Sequence, residues 1–358
     1  MIDIDGSIGE AGGQILRTSI ALSSLLLKPI RIYNIRKGRP KPGLMAQHLT
    51  GVKIAGEFCN AEIKGLKIGS TEVEFFPKSF KIEDRRIDIG TAGQISLLLQ
   101  TLFPLLIFGN KEVSLEIIGG TAGLGAPTIH YVKNVTFPLL SKLGVKIPEI
   151  EIIKEGFYPK GGGIVKIKTF PVKSLNSVKL TERGKVKVIR GVSVVGSLPR
   201  HVLERQTNAA IKTLKEHGFN DVNITSQIVN TFSPGTSITL WAECENSILG
   251  ADKIGKIGVR AEKIGEECAK ELIKSIESKA ALDKYMADQI IPFLALADGK
   301  SEVTVEEITD HCLTNIFVLE KILEIKFEVE GEKGKFGKIL VDGAGFENKF
   351  FESSYNYL

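Results

Sequence analysis

Three times along the 358-residue chain a Gln-Ile pair opens a long apolar run. Gly13-Gln14-Ile15 starts one that reaches Leu27, Gly93-Gln94-Ile95 one that reaches Phe108, and Asp288-Gln289-Ile290 one that reaches Leu296. Each run is followed by brief alternation of apolar and polar residues: Ile30 and Ile32, then Val113, Leu115 and Ile117, then Val303 and Val305. A period of two is the mark of a half-buried strand. Beyond each strand lie a loop and a second helix-like segment, beginning near Met45, Thr128 and His311. A helix–strand–loop–helix unit used three times predicts related substructures packed about pseudo-symmetry axes.

The first two units adjoin and the third stands far away. The stretch between them reads differently: strands over 186–195, 222–228 and 236–241, a helix over 203–217, and a Lys/Glu-rich helix over 261–277. This predicts a large domain from residues 1–179 and 281–358, with a smaller α+β domain, 180–280, inserted before the third unit. Gly161-Gly162-Gly163 and Gly191 read as turns. With 43% hydrophobic and 25% charged residues, the chain can bury a core without a metal or disulfide staple. Its four cysteines form no CxxC pair, which excludes a zinc ribbon or thioredoxin motif. The acidic start lacks the basic region of a signal peptide, so a cytoplasmic location is expected. The run from Ile95 to Phe108 contains Gln100 and Pro104 and falls short of the roughly 20 apolar residues of a membrane span. It reads as a buried core helix, and no membrane partner is expected.

A net charge of +5 suits a polyanionic partner. Glycine-rich stretches at 9–14, 90–94 and 119–123 could let backbone amides approach phosphate, or serve as plain turns and helix starts. No Walker A motif occurs. Gly250-Ala251-Asp252-Lys253-Ile254-Gly255-Lys256 comes near, but Ile257 stands where Ser or Thr would hold magnesium. Arg36-Lys37-Gly38-Arg39-Pro40-Lys41 sets four cations in a stiff loop, a pattern suited to phosphate oxygens. Among five histidines, His217 reads as a helix cap, His201 as surface, and His48 and His130 as residues of matching helix starts. His311 lies just after Asp310, a good N-cap, and just off the apolar stripe Cys312, Ile316, Leu319 and Leu323. The helix dipole there disfavours imidazolium, leaving the neutral ring that a nucleophile at phosphorus needs. Taken alone, the same residue reads first as a polar group at a helix start.

Several longer motifs resemble the RNA 3′-terminal phosphate cyclase family: IDGSIGEAGGQILRTS (4–19), IRKGRPKPGLMAQHL (35–49), GFYPKGGG (156–163), LPRHVLERQ (198–206), YMADQIIPFLALA (285–297) and DHCLTN (310–315). They run in order over nearly the whole chain. The resemblance implies a large domain of three α/β units similar to the C-terminal domain of bacterial translation initiation factor 3, with a small α+β insert. It implies ATP-dependent conversion of an RNA 3′-phosphate to a 2′,3′-cyclic phosphate, with a divalent metal, Mg or Mn. The chemistry is reasonable: transfer of AMP onto the phosphate creates a leaving group, and the neighbouring 2′-hydroxyl attacks with a large proximity advantage.

By motif position, His311 resembles the AMP carrier and Glu10 the metal-binding glutamate. Arg17, Arg36 and Arg39 resemble phosphate ligands. Gln100, Tyr285, Asp288 and Gln289 match positions around the adenosine, and Pro127 one that lines the nucleotide pocket. Two positions depart: His130 stands where relatives often have an acidic residue, and no aromatic occurs around 247–251 to stack on adenine. Non-catalytic relatives serve as scaffolds in ribosome assembly, but they lack the histidine of DHCLTN. The aromatic residues Phe346, Phe350, Phe351, Tyr355 and Tyr357 read as packing, with an edge strand, a homodimer contact or base stacking as alternatives.

Overall fold

The structure, a computed structural model, describes residues 1–351. Its first unit comprises β1 (Ile2–Asp5), α1 (Gln14–Leu26), β2 (Ile30–Tyr33), α2 (Ala46–Phe58), β3 (Glu62–Lys64) and β4 (Val73–Phe76). The second comprises β5 (Arg85–Asp88), α3 (Ile95–Ile107), β6 (Val113–Gly119), a broken helix, β7 (Glu149–Lys154) and β8 (Gly163–Thr169). The broken helix consists of α4 (Ile129–Tyr131), a π-helical stretch (Val132–Thr136) and α5 (Phe137–Leu140). After β9 (Lys179–Leu180) come β10 (Val186–Gly196), α6 (Arg200–Glu216), β11 (Val222–Val229), β12 (Gly235–Cys244), β13 (Ile248–Ile254) and α7 (Ala261–Glu277). The chain ends with α8 (Lys284–Leu296), β14 (Lys300–Val305), α9 (Asp310–Leu323), β15 (Phe327–Gly331) and β16 (Gly337–Asp342).

One pairing scheme recurs three times. The first strand of a unit lies parallel to the second, the second antiparallel to the fourth, and the fourth antiparallel to the third. The unit is therefore βαβαββ, and β9, α8, β14, α9, β15 and β16 form its third copy. The first helix of each unit packs on the second helix of the unit before it: α3 on α2, α8 on the π-helical stretch, and α1 on α9. That closes a ring of helices, with apolar strand positions such as Val113, Leu115 and Ile117 facing inward. Such mutual burial explains why α1 and α3 are buried nearly all round, α3 with a largely apolar surface and α1 with polar side chains such as Gln14, Arg17 and Thr18 among its buried residues.

Strands β10 to β13 form a separate sheet in the order β11-β10-β12-β13. Helices α6 and α7 cover one face over a core that includes Ile189, Leu214, Leu240, Cys268 and Leu272. Thr304 stitches both ends of this excursion to β14: its hydroxyl donates to Thr181 O at 3.0 Å and accepts from Ala281 N at 2.9 Å.

Three expectations are corrected. Asp288-Gln289 does not open a helix. Helix α8 begins at Lys284, capped by Asp283, whose carboxylate accepts from Tyr285 N (2.9 Å) and Met286 N (3.0 Å). Gly191 is no turn but lies within β10 opposite Leu240, where a Cβ would come 2.6 Å from Leu240 Cδ2. The segment 248–254, with its near-Walker pattern, is a fourth strand of the separate sheet. The four cysteines are free and buried. Phe346 and Phe350 pack on Phe108 and Phe80, with centroids 4.8 and 5.2 Å apart; Tyr355 and Tyr357 lie outside the described residues. Among the described residues no helix is long and apolar enough to cross a membrane.

Candidate active site

The N-termini of α1 and α9 converge on the glycine-rich loop before α1. Gly9 there has φ +63°, and a Cβ would sit 2.1 Å from Thr314 Oγ1. Glycine thus lets the loop lie against α9, with Glu10 N donating to Thr314 Oγ1 at 3.4 Å. Glu10 is thereby brought to His311: Oε2 lies 3.1 Å from Nε2 and 2.6 Å from an Arg39 guanidinium nitrogen. The N-cap of α9 is Thr309, not Asp310, because the Thr309 hydroxyl accepts from Cys312 N at 3.1 Å, while Asp310 pairs with Lys333 at 2.7 Å. His311 still falls in the first turn. Its Nδ1 is buried with no hydrogen-bond partner among the described residues, so Nε2 is the nitrogen turned to the cavity. Burial lowers its pKa, opposed by Glu10 and reinforced by Arg17 and Arg39, which keeps the ring neutral.

Arg17 is buried on α1. It donates through Nε to Gln100 Oε1 at 2.9 Å and also to Gln14 Oε1. Burial brings it down to about 10, still cationic at neutral pH. Gln14 Nε2 reaches Asn315 Oδ1 (3.1 Å), which also accepts from Thr18 Oγ1 (2.6 Å), and Asn315 Nδ2 donates to Asp288 O (2.7 Å). One fully buried amide therefore ties α1, α8 and α9 together under the site. Burial pushes the Asp288 carboxyl up to about 7, opposed by Arg17. Tyr285 OH donates to Glu271 of α7 at 2.5 Å. The Gln289 amide is engaged within the fold, accepting from Thr136 Oγ1 and donating to Tyr285 O, both at 3.0 Å. Arg36, at φ +54°, donates to Lys41 O (2.7 Å) and Gly43 O (2.9 Å), so it pins its own loop while Arg39 reaches out.

Two joined cavities collect these side chains. The inner one, roughly 480 Å³, is lined by Arg17, Gln100, Pro127, Tyr285, Asp288, Gln289 and His311. The outer one, roughly 940 Å³, is lined by Glu10, Arg17, Arg36, Arg39 and His311. All ten candidate residues line one cavity or the other, and Arg17 and His311 border both.

The family model for RNA 3′-terminal phosphate cyclase matches residues 8–329. The chain belongs to the RNA 3′-terminal phosphate cyclase family. Relatives bearing that name include one from Ignicoccus hospitalis, 45% identical over 341 residues, covering 94% of this chain and 96% of the relative. One from Thermococcus kodakarensis is 45% identical over 340 residues (95% and 98%), and one from Pyrococcus furiosus 43% over 341 (95% and 98%). Identity at that level over nearly full length makes the chain an enzyme of the cyclase type. A solved EPSP synthase from Acinetobacter baumannii covers 96% of the chain at 12% identity with a TM-score of 0.28, too distant to bear on fold or function.

The two cavities are also lined by residues that motif matching overlooks. Asp252 and Lys253 of β13 and Lys256 of the following turn line the inner cavity, so the near-Walker segment contributes a wall as strand and turn rather than a phosphate loop. Asp252 is held by Thr128 N at 2.7 Å. His130 instead pairs through Nε2 with buried Glu155 at 2.7 Å, away from both cavities. His48 borders the outer cavity with Nδ1 accepting from Met45 N at 3.2 Å. Among the described residues no group of three or more His, Cys, Asp or Glu forms a metal cage. Glu10 offers one carboxylate, the number Mg²⁺ commonly takes when phosphates and water fill its other positions.

Proposed function

We propose that the chain converts RNA 3′-terminal phosphate to a 2′,3′-cyclic phosphate, using ATP and a covalent His311–AMP intermediate. The observation that carries this is the position of one neutral imidazole at the junction of two cavities, with cationic Arg17 beside it in both. In the first step the Nε2 lone pair attacks the α-phosphorus of ATP in the inner cavity. The bond from that phosphorus to the bridging oxygen breaks and pyrophosphate leaves. Arg17 and Arg39 stabilise charge on the phosphates, and Arg36 keeps the loop bearing Arg39 in place. Gln100, Tyr285, Asp288, Gln289 and Pro127 form the walls of the adenosine end. In the second step an oxygen of the RNA 3′-phosphate attacks the same phosphorus, the N–P bond breaks, and RNA-3′-pp-5′-A forms. In the third, the 2′-hydroxyl oxygen attacks the RNA-side phosphorus, loses its proton, and AMP departs.

A divalent ion held by Glu10 and triphosphate oxygens would neutralise phosphate charge. Residues 180–280 are read as the inserted small domain, supported by their own sheet and apolar core. The threefold βαβαββ order supports a likeness of the large domain to the C-terminal domain of initiation factor 3. A non-catalytic scaffold would have no use for a neutral, cavity-facing histidine.

The test is incubation with α-labelled ATP and a divalent metal in the absence of RNA. The chain should acquire one AMP, labile to acid and resistant to alkali. His311→Asn should fold, stay unlabelled and cyclise no RNA. A labelled mutant, or label mapped to a lysine, would overturn the assignment.

A further inference from the structure

The outer cavity opens beside an aromatic ring that no other described side chain engages. Residues 157–162 form a tight loop between β7 and β8. Phe157 is only 2% exposed and fills space left by Gly196 and Gly235, where a Cβ would come 2.8 and 2.3 Å from its ring. Gly161 N donates to Phe157 O at 2.8 Å, and Lys160 N to Ser233 Oγ at 3.0 Å. The loop is thus fixed at several points. Its next residue, Tyr158, turns outward and is 77% exposed, yet it borders the cavity that holds His311. Among the described residues no hydrogen bond, ring contact or cation engages its side chain. Leu124 and Ile257 line the same cavity and are exposed, and Lys256 lines it as well. Neither Lys160 nor Lys256 has a carboxylate partner among the described residues.

Free cations beside a rigid, solitary aromatic ring make the composition that grips a single strand. The cations meet phosphates, and the ring meets any base on its face. Because the loop is already ordered, stacking on Tyr158 immobilises little that is not immobile already. Continuity with a cavity containing Arg17 and Arg39 favours a strand whose phosphate end lies inside and whose bases trail over the rim.

We propose that Tyr158 is the stacking platform for a base near the 3′ end of the RNA, with Lys160 and Lys256 on its backbone. The inference deepens the cyclase reading and rests on it. Its test needs neither ATP nor chemistry, so it can fail separately. A fluorescent 3′-phosphorylated oligoribonucleotide of roughly ten nucleotides, intact or abasic at its last nucleotides, is titrated into the full chain and followed by anisotropy. Tyr158→Ala should weaken binding of the intact strand by roughly fivefold to a hundredfold, while Tyr158→Phe stays within about twofold. On the abasic strand, wild type and Tyr158→Ala should bind alike. Equal binding of the intact strand by both proteins, or an equal loss on both strands, would overturn the proposal. Failure of the cyclase reading would appear instead as an absent or misplaced AMP label.

Discussion

Replacing Asn315 by alanine removes an amide that no solvent reaches. Three groups lose their partner at once: the Gln14 amide at 3.1 Å, the Thr18 hydroxyl at 2.6 Å and the Asp288 carbonyl at 2.7 Å. A buried polar group left unpaired costs about 1–3 kcal/mol. Gln14 Nε2 keeps a weak 3.5 Å contact to the Thr18 hydroxyl oxygen, so part of the Gln14 loss is recovered. At the low end of that range the three groups together cost about 3 kcal/mol. Urea unfolding at pH 7 should show a lower midpoint with an unchanged slope, because the same surface is exposed. In a cycle with Thr18→Val, the double mutant should be more stable than the sum of the singles by at least about 0.5 kcal/mol, since both remove the same bond. Self-adenylylation should slow as well, although Asn315 lines neither cavity, because Gln14 also holds the Arg17 guanidinium. A stability loss under about 1 kcal/mol, or strict additivity, would refute the claim that this amide binds three helices together.

Arg39→Ala should leave stability within about 0.5 kcal/mol, since its side chain is 43% exposed, while lowering kcat/KM for self-adenylylation about tenfold to a hundredfold through a lost charge-assisted phosphate contact. Unchanged kinetics in the folded variant would count against it. Burial, with the Arg17 and Arg36 charges adding, pushes His48 down to about 3. The ring is neutral when folded and takes up a proton on unfolding below about pH 6.5, so stability should fall by about 1.4 kcal/mol per pH unit as pH drops from about 6.5 toward 3. Urea midpoints between pH 7 and 5 should fall more steeply for wild type than for His48→Gln, whose amide can still accept from Met45 N; parallel slopes would exclude His48 as the source.

The helices α1 and α3 were legible because each carries a long run rich in apolar residues that mutual burial requires, Ile15 to Leu27 and Ile95 to Phe108. The outer hairpins were not. β3 has three residues, too few for periodicity to register, and β7 alternates over Glu149 to Ile152 in a strand of only six residues whose inner side is no more than half-buried. Asp283 and Thr309 show the limit of reading caps: each competes with a nearby aspartate equally suited by type, and only the reach of the oxygen to an amide decides. At the site, motif positions named residues from distant segments, and the fold gathers them around two cavities. Hidden were contributions that depend on docking between parts remote in the chain. Asp252 is held by Thr128 from 124 residues away, and Asn315 meets Gln14 from 301 away. No local pattern records such a pairing.

The Thr304 stitch has a bearing on the order in which the nascent chain assembles. The first two units own all their strands by residue 169 and can complete their sheets as soon as they emerge. The third unit cannot. Among the described residues its opening strand, β9, pairs only with β14, and the hydrogen bond from Val178 N to the Ser301 hydroxyl spans 123 residues. At about 5–20 residues per second, β9 waits on the order of ten seconds for that partner. A strand of two residues is a poor template for wrong pairing, so the delay exposes almost nothing to aggregation. The site must therefore be born late: His311 enters it only after the excursion has been made and tied off, by which time the loop carrying Glu10 and the guanidinium of Arg17 already stand on a completed first unit.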